Sequence, residues 1–453
     1  MLAAGRGVRM RSRLPKVLHP VAGVPMLNRV IRSVQEAGVS HIVVVLGAEA
    51  DPIRATLAPE IVVAIQAEPR GTGDAVRVGI EALPPHTERV LVVGGDTPLV
   101  TSGTLRAVLD AVPDAPIAMA TGHLSDPTGY GRVMVRDAGL VDRIVEESDA
   151  TSDERATTLV NGMIFAFEGT WLRKTLPSVQ PSPSGEIYLT ALVSHAALEG
   201  RPARAIAAAD SMDVIGVNTR AQLAMTESTA RLRVLQRLME AGVTIVDPAS
   251  TYVDECVQIE SDVVVHPQSY IRGETVIERD CVIGPGAEVV DCHVREGARI
   301  SWSVVESSEI GPRVRIGPYF RVRAGTVLEA DVALGSFGEV KNSRVGERTQ
   351  MHHFSYLGDA VVGPDVNIGA GAITCNYDGV AKHQTTIGAG VFVGSDSLLI
   401  APVTLGDGAM TGAGSVVTRD VAPGARVVGV PARQIGSKRR PTQTPAEEQA
   451  TQR

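Results

Sequence analysis

Residues 253–289 read VDECVQIESDVVVHPQSYIRGETVIERDCVIGPGAEV. An aliphatic residue stands at every sixth position: Val253, Ile259, Val265, Ile271, Ile277, Ile283 and Val289. The same step runs through Val304, Ile310, Ile316, Val322, Leu328, Leu334 and Val340. It returns as Ile387, Val393, Leu399, Leu405, Thr411 and Val417. Glycine often follows, as in Ile283-Gly284, Ile310-Gly311 and Val393-Gly394. A helix repeats every ~3.6 residues and a half-buried strand every ~2, so neither needs a strict six. A hexapeptide repeat does, and it marks a parallel β-helix. Each unit makes one short strand and one turn, with the aliphatic pointing into a narrow interior. At about 18 residues per coil, with coils ~4.8 Å apart, residues 250–425 give roughly nine or ten coils. Flat-sided prisms of this kind associate, and three-fold packing is one closed solution.

Composition agrees. The 453 residues are 44% hydrophobic and 21% charged, which implies a globular chain of two or three domains. Aromatics make up only 3%, as a tight interior requires. No apolar run reaches the ~20 residues of a membrane span, and no signal-like h-region opens the chain, so a cytoplasmic location is expected with no membrane insertion. The net charge of −8 argues against nucleic-acid binding. Cys256, Cys281, Cys292 and Cys375 lack metal or disulfide spacing and read as reduced thiols.

Residues 1 to about 220 read as α/β. Short aliphatic runs (Ile42–Leu46, Ile61–Ile65, Val90–Val93, Ile117–Ala120) alternate with helical stretches such as Asn28–Ala37 and Gly73–Ala82. This implies a parallel, doubly wound sheet. Arg220 to Ala241 reads as a connecting helix, with Leu223, Ala230, Val234 and Leu238 on one stripe.

The chain opens Leu2-Ala3-Ala4-Gly5-Arg6-Gly7-Val8-Arg9-Met10, with Pro15-Lys16 following. A Gly-rich turn after a strand lets backbone N–H groups approach phosphate oxygens. Arg9 and Lys16 add the positive charge that a nucleoside triphosphate needs, although a solvated basic loop has the same composition. No Gly-Lys-Ser/Thr follows, so this is not a Walker loop. Val90–Val93 runs into Gly94-Gly95-Asp96. Asp96 stands at a strand's C-terminal edge, where such sheets bind ligands, and can hold Mg²⁺ or cap the next helix.

Two interruptions break the hexapeptide period. One is Met351-His352-His353-Phe354-Ser355-Tyr356-Leu357-Gly358-Asp359. The other runs from Asn367-Ile368-Gly369-Ala370-Gly371 to Asn376-Tyr377-Asp378-Gly379. Thr374 to Ile387 is 13 residues where two repeats would be 12, so a loop leaves the coil. A neutral imidazole beside such a loop suits proton abstraction from an amine during acyl transfer. The pair His352 and His353 can also simply fill a turn.

These stretches together resemble a known family. LAAGRGVRM with PK is similar to the sugar-1-phosphate nucleotidyltransferases. Gln66-Ala67-Glu68-Pro69-Arg70-Gly71-Thr72-Gly73, Tyr130-Gly131-Arg132, Ile144-Val145-Glu146, Val160-Asn161-Gly162 and Gly216-Val217-Asn218 narrow the likeness. With HFSYLGD and NIGAGAITCNYDG they resemble, over residues 2–430, the bifunctional bacterial family that makes UDP-N-acetylglucosamine. The resemblance implies an α/β Rossmann-like nucleotidyltransferase domain (1–219), a helical linker (220–245) and a left-handed parallel β-helix N-acetyltransferase domain (246–436); a composition rich in Lys, Arg, Pro, Thr, Gln and Glu reads as a disordered tail (437–453). It implies UTP and acetyl-CoA as co-substrates, Mg²⁺, and a homotrimer formed through the β-helix.

Residue by residue, the likeness assigns Leu2, Ala3, Ala4, Gly5, Gln66, Gly71 and Thr72 to the uridine nucleotide, with Gly94 and Gly95 beside them. Arg9 and Lys16 would serve the phosphates, Asp96 and Asn218 the Mg²⁺, and Gly131, Glu146 and Asn161 the N-acetylglucosamine group. His353 would be the general base of acetyl transfer. Arg323, Lys341, Tyr356, Asn367 and Lys382 would bind glucosamine 1-phosphate, and Ala370, Asn376, Tyr377, Ser395 and Ala413 would line the acetyl-CoA site. The chain departs from the pattern at Gly94, Ala191 and Gly429. The family also has a full strand before Leu-Ala-Ala-Gly where this chain has Met1, so a start upstream of Met1 is expected. Two other readings stand beside this one: a nucleotidyltransferase whose β-helix only regulates or assembles it, as in the ADP-glucose and GDP-mannose pyrophosphorylases, and a non-catalytic trimeric scaffold. His353 and the 376–386 loop, which a purely structural coil does not need, discriminate between the first two.

Overall fold

The computed structural model describes residues 1–5, 7–136, 139–182 and 185–435. The tail expected from residue 437 lies outside them. The chain divides into two compact units, Met1–Arg233 and Val234 onward. The division falls inside the expected helix, which runs Arg220–Glu240.

In the first unit, Leu2–Ala3, Val43–Leu46 and Val62–Ile65 form a parallel sheet. A bridge from Leu2 to Gly94 carries it to the strand Arg89–Val93. That strand opens a six-stranded mixed sheet. Here the doubly wound parallel expectation is corrected. The strand Leu159–Glu168 runs antiparallel to both Arg89–Val93 and Ile117–His123. Its sequence is apolar almost throughout, and a strand buried on both faces carries no mark of its direction. Helices Met26–Glu36 and Thr72–Glu81 match the expected stretches and cover the parallel half.

The first strand is two residues long. The Met1 ammonium donates to the Val43 carbonyl at 2.8 Å, and burial pushes the amine down to about 5. An apolar cavity of about 60 Å³, lined by Met1, Val43, Val45, Val90 and Val92 among others, separates Val43–Leu46 from Arg89–Val93.

The second unit is the expected left-handed β-helix. Three faces carry sheets of twelve, ten and nine strands. On each face, strands one coil apart pair in parallel, as Val264–Val265 does with Val282–Ile283. Coiling begins at Thr244–Ile245, which pairs with Val264–Val265. The inward aliphatics Ile271, Ile277, Ile283, Val289, Ile310, Val322 and Val340 are fully buried.

The inward position before Ile310 is Val305, not Val304. Val305 is 0% exposed, whereas Val304 faces outward, half-buried. Some coils drop a residue: the inward side chains Val289, Val294, Ile300, Val305 and Ile310 step by five or six. A strict six counted back from Ile310 therefore lands one residue early. The loop is also longer than expected. Thr374 sits on the ten-stranded face, and Ile387 on the next face round. Thirteen residues thus cover one step rather than two.

This register yields a stability prediction. Val305→Ala is expected to cost about 2 kcal/mol through lost burial and an unfilled interior. Val304→Ala should stay within about 0.5 kcal/mol, as outward substitutions do. Denaturant unfolding of the full chain checks this; equal losses would place Val304 inside.

Candidate functional site

The first unit holds a cavity of about 310 Å³ at the C-terminal ends of the parallel strands. Its wall brings together Leu2, Ala3, Ala4, Gly5, Lys16, Gln66, Gly71, Thr72, Gly94 and Asp96, all expected from the sequence. Local structure explains the placing. Leu2–Ala3 ends at the sheet edge, and the chain turns at Gly7 in the left-handed region, φ 60°. A Cβ at Gly7 would stand 2.7 Å from the Lys16 Cβ, so glycine lets the two turns close on each other. Gly71 has φ 97°, and a Cβ there would meet the Ile187 carbonyl oxygen at 2.6 Å.

Lys16 is the hub. Its Nζ donates to Asp96 Oδ2 and to Asn218 Oδ1, the latter at 3.1 Å. Only 12% of the Lys16 side chain is exposed, so the ammonium needs both oxygens. Asp96 and Asn218, expected as a metal pair, thus already converge on one cation. One carboxylate and one amide oxygen suit Mg²⁺, which takes its remaining ligands from phosphates and water.

Gln66 is buried. Its Nε2 donates to Gly71 O at 3.2 Å and Asp74 Oδ2 at 2.9 Å, which leaves Oε1 as the acceptor. Thr72 Oγ1 accepts from Leu189 N at 3.0 Å. Gly95 is buried behind the wall, its amide donating to Leu2 O at 2.9 Å. A Cβ at Gly94 would meet Asp96 Oδ1 at 2.7 Å, so this departure leaves the Asp96 carboxylate room. Arg9 makes no hydrogen bond or ion pair among the described residues. Its charge reaches the phenol of Tyr130, which burial pushes up.

Gly131, Glu146 and Asn161 form a second cluster. Asn161 N donates to Gly131 O at 2.9 Å, and a Cβ on Gly131 would lie 3.5 Å from Glu146 Oε2. Burial raises the Glu146 carboxyl above its ordinary value, and Thr190 Oγ1 donates to it at 2.9 Å. Asn161 Oδ1 accepts from Met163 N at 3.0 Å. Met163 lines the first cavity, so the two clusters adjoin. Sequence reasoning missed Met163, Glu186 and Tyr188 in that wall. Tyr188 lay within reach, three residues before the departure at Ala191.

In the second unit most of the expected residues fall into two columns, at opposite ends of the ten-stranded face. One runs up a corner. Gly371 N donates to Phe354 O at 2.6 Å, Asp396 N to Ala370 O at 2.7 Å, and Gly414 N to Ser395 O at 2.8 Å. His353, Ala370, Ser395 and Ala413 therefore belong to successive coils at that corner. His353 is exposed, as proton exchange with a substrate requires.

The other column starts at Arg323 and Lys341, stacked through Arg323 N to Val340 O at 2.8 Å. Arg323 is paired with Glu339 at 2.9 Å. Lys341 meets Lys382, whose ammonium pulls that of Lys341 below its ordinary value. Two adjacent lysines make a place for an anion. Asp359 accepts from Asn342 Nδ2 at 2.6 Å and from the buried Asn376, so it anchors the loop beneath them. Sequence reasoning gave Asp359 no role, although it closes the quoted HFSYLGD. The loop is knit by Asp378, which accepts from Val380 N and Ala381 N and pairs with His383 at 2.7 Å. Tyr356 stands between the columns, in register with Glu339 below and Ile373 above. Asn367 lies on the neighbouring face, in register with Gln350. Tyr377 projects outward, its hydroxyl donating to Gly379 O at 2.7 Å. Gly429 adopts φ 94°, a conformation that a residue with a side chain would strain.

Comparison with known proteins agrees with this division. Residues 1–156 match the MobA-like NTP transferase domain, 253–345 the GMPPB C-terminal domain, and 384–419 the bacterial transferase hexapeptide (six repeats). The chain is 45% identical over 440 residues to the bifunctional protein GlmU of Rubrobacter xylanophilus, covering 96% of this chain and 93% of that one. It is 42% identical to that of Kineococcus radiotolerans, covering 95% and 89%, and 41% identical to that of Thermotoga petrophila, covering 93% and 94%. With a nucleotidyltransferase cavity in one unit and a hexapeptide acyltransferase coil in the other, the chain belongs to the bifunctional GlmU family of uridylyltransferase/N-acetyltransferase enzymes.

Proposed function

We propose that the second unit acetylates glucosamine 1-phosphate with acetyl-CoA, and that the first then transfers UMP from UTP to N-acetylglucosamine 1-phosphate. The observation that carries this is the separation of two complete sets of groups, one around Lys16 and one around His353, in different compact units. The product, UDP-N-acetylglucosamine, serves cell-wall precursor synthesis. The chain works in the cytoplasm; among the described residues no helix is long and apolar enough to cross a membrane.

In acetyl transfer, a neutral imidazole takes a proton from the sugar's 2-amine. For this chain that imidazole is His353. The amine nitrogen bonds to the thioester carbonyl carbon, the carbon–sulfur bond breaks, and coenzyme A leaves as the thiol, taking up the proton that the imidazole removed from the amine. Lys341, Lys382 and Arg323 hold the sugar phosphate, while Tyr356 and Asn367 border it. Ala370, Asn376, Tyr377, Ser395 and Ala413 line the coenzyme's path. The small side chains at Ala370 and Ala413 leave that corner open.

In uridylyl transfer, an oxygen of the sugar phosphate attacks the α-phosphorus of UTP, and the bond to the β-phosphate oxygen breaks. Such reactions depend on positioning and positive charge more than on a protein nucleophile. Leu2 to Gly5 and Thr72 seat the nucleotide, and Gln66 Oε1 is placed to accept from a base N–H. Arg9 and Lys16 face the phosphates. Glu146, Asn161 and the Gly131 backbone take the N-acetylglucosamine group. Asp96 and Asn218 would hold Mg²⁺, which neutralises charge on the phosphates and the departing pyrophosphate.

The chain forms a homotrimer through its β-helix. An exposed aromatic ladder supports this: Trp302, Tyr319, Phe337 and Phe354 occupy one corner on successive coils. Tyr319 and Phe337 stack at 5.4 Å and are 56% and 68% exposed. Such a stripe is apolar surface that association would cover.

Paired assays on one preparation test the assignment. His353→Ala should abolish thiol release from acetyl-CoA and leave pyrophosphate release from UTP intact; Asp96→Ala should do the reverse. Loss of both activities in either variant would contradict two independent sites. Lys341→Ala should raise KM for glucosamine 1-phosphate about tenfold, more than it lowers kcat, because a phosphate contact is made before and during reaction. An unchanged KM would remove Lys341 from the site.

A further inference from the structure

His19 and Arg220 lie outside the cavity wall and take no part in the chemistry above. His19 follows the turn Lys16–Leu18, its amide donating to Lys16 O at 3.2 Å. Its carbonyl accepts from Met26 N at 3.1 Å, where the helix Met26–Glu36 begins. The side chain is 5% exposed, and its Nδ1 lies 3.4 Å from Arg220 Nη1. A guanidinium offers only donors, so Nδ1 must accept and the proton sits on Nε2. That Nε2 is buried without a partner.

Arg220 is the first residue of the helix Arg220–Glu240 and stands two residues after Asn218. Its Nε donates to Met10 O at 3.2 Å, at the end of the turn Val8–Met10 that carries Arg9. One guanidinium thus joins three segments: the turn with Arg9, the turn with Lys16 and the stretch with Asn218. The arrangement opposes local preference twice. A cation at a helix N-terminus runs against the helix dipole, and a buried N–H without an acceptor is costly. The turns do not need the clamp to close, since Met10 N donates to Gly7 O at 2.9 Å and Leu18 N to Pro15 O at 3.0 Å. What the clamp sets is the distance between turns.

We propose that Arg220 and His19 are positioning residues that fix the spacing of Arg9, Lys16 and Asn218, and so the geometry in which the triphosphate of UTP is held. This rests on the reading of Lys16, Asp96 and Asn218 as the uridylyl-transfer site.

The test uses full-length Arg220→Ala, Arg220→Lys, His19→Leu and His19→Gln, assayed for pyrophosphate release and, in the same preparation, for acetyl transfer. Arg220 is exposed, so its replacement leaves the core intact. Arg220→Ala should lower kcat for uridylyl transfer about tenfold, in line with the cost of a small misplacement, with a lesser change in KM for UTP. His19→Gln, which keeps an acceptor, should retain more activity than His19→Leu. The double variant Arg220→Ala/His19→Leu should fall no further than the worse single one, as residues acting as a unit do. Arg220→Lys keeps one donor and should fall between wild type and Arg220→Ala. An unchanged kcat in Arg220→Ala, multiplying losses in the double variant, or a parallel fall in acetyl transfer would overturn the proposal. Asp96→Ala in the same assay separates the failures: if it retains uridylyl transfer, the underlying site is misassigned whatever Arg220 does.

Discussion

The width of the β-helix interior governs the second unit. Each strand points one aliphatic inward per coil, and the interior is so narrow that, among the described residues, it buries no charged side chain and a single ring, Phe320, for which Gly338 leaves room. Coils must therefore repeat in register, and parallel pairing locks them ~4.8 Å apart. Outward side chains then fall into columns. The chain exploits this twice, once at the corner that carries His353, Ala370, Ser395 and Ala413 and once at the end of the same face that carries Arg323 and Lys341. Acetyl-transfer groups far apart in sequence become neighbours because the interior admits only one spacing. Of the two interruptions expected, only the long step from Thr374 to Ile387 breaks the period; at the His352-His353 turn the inward Met351 and Leu357 keep a step of six, and function enters through an outward corner residue instead.

The first unit solves a different problem. Its key contact is a nearly buried ammonium, Lys16 Nζ, held by oxygens 80 and 202 residues away in sequence. A buried cation without partners is costly, so the sheet edge at Asp96 and the stretch at Asn218 must both come to it. The turn at Gly7 and the clamp through Arg220 deliver Lys16 to that point. The same three groups that satisfy one another in the free protein form the face that a triphosphate and its metal would meet.

Much of this was legible in the sequence, and the misses have physical causes. The hexapeptide step located the coils, but a strict six misplaced Val304, because a coil can drop a residue at a corner while keeping its inward side chain. The thirteen residues to Ile387 looked like two steps because counting cannot tell a loop from a strand. Strand direction in the first unit was not encoded: Leu159–Glu168 is apolar on both faces whichever way it runs. Arg9, Lys16 and Asp96 were suggested by the Gly-rich turn and the strand end, but Asn218 was found only through a family resemblance, since no spacing along the chain announces a contact across 202 residues. Met163 was invisible because it contributes to the wall through position rather than chemistry. Asp359 was in plain view, yet its part in holding Asn376 and facing the two lysines appears only once the loop is folded.

One chain, on this reading, carries two separable chemistries joined by a freely released intermediate. The most direct measurement mixes two inactive proteins. Full-length Asp96→Ala and His353→Ala, each alone, are given glucosamine 1-phosphate, acetyl-CoA and UTP, and UDP-N-acetylglucosamine is followed. Neither should make it, and an equimolar mixture should restore its formation, with N-acetylglucosamine 1-phosphate passing between the two. A mixture as inactive as its components would contradict the account.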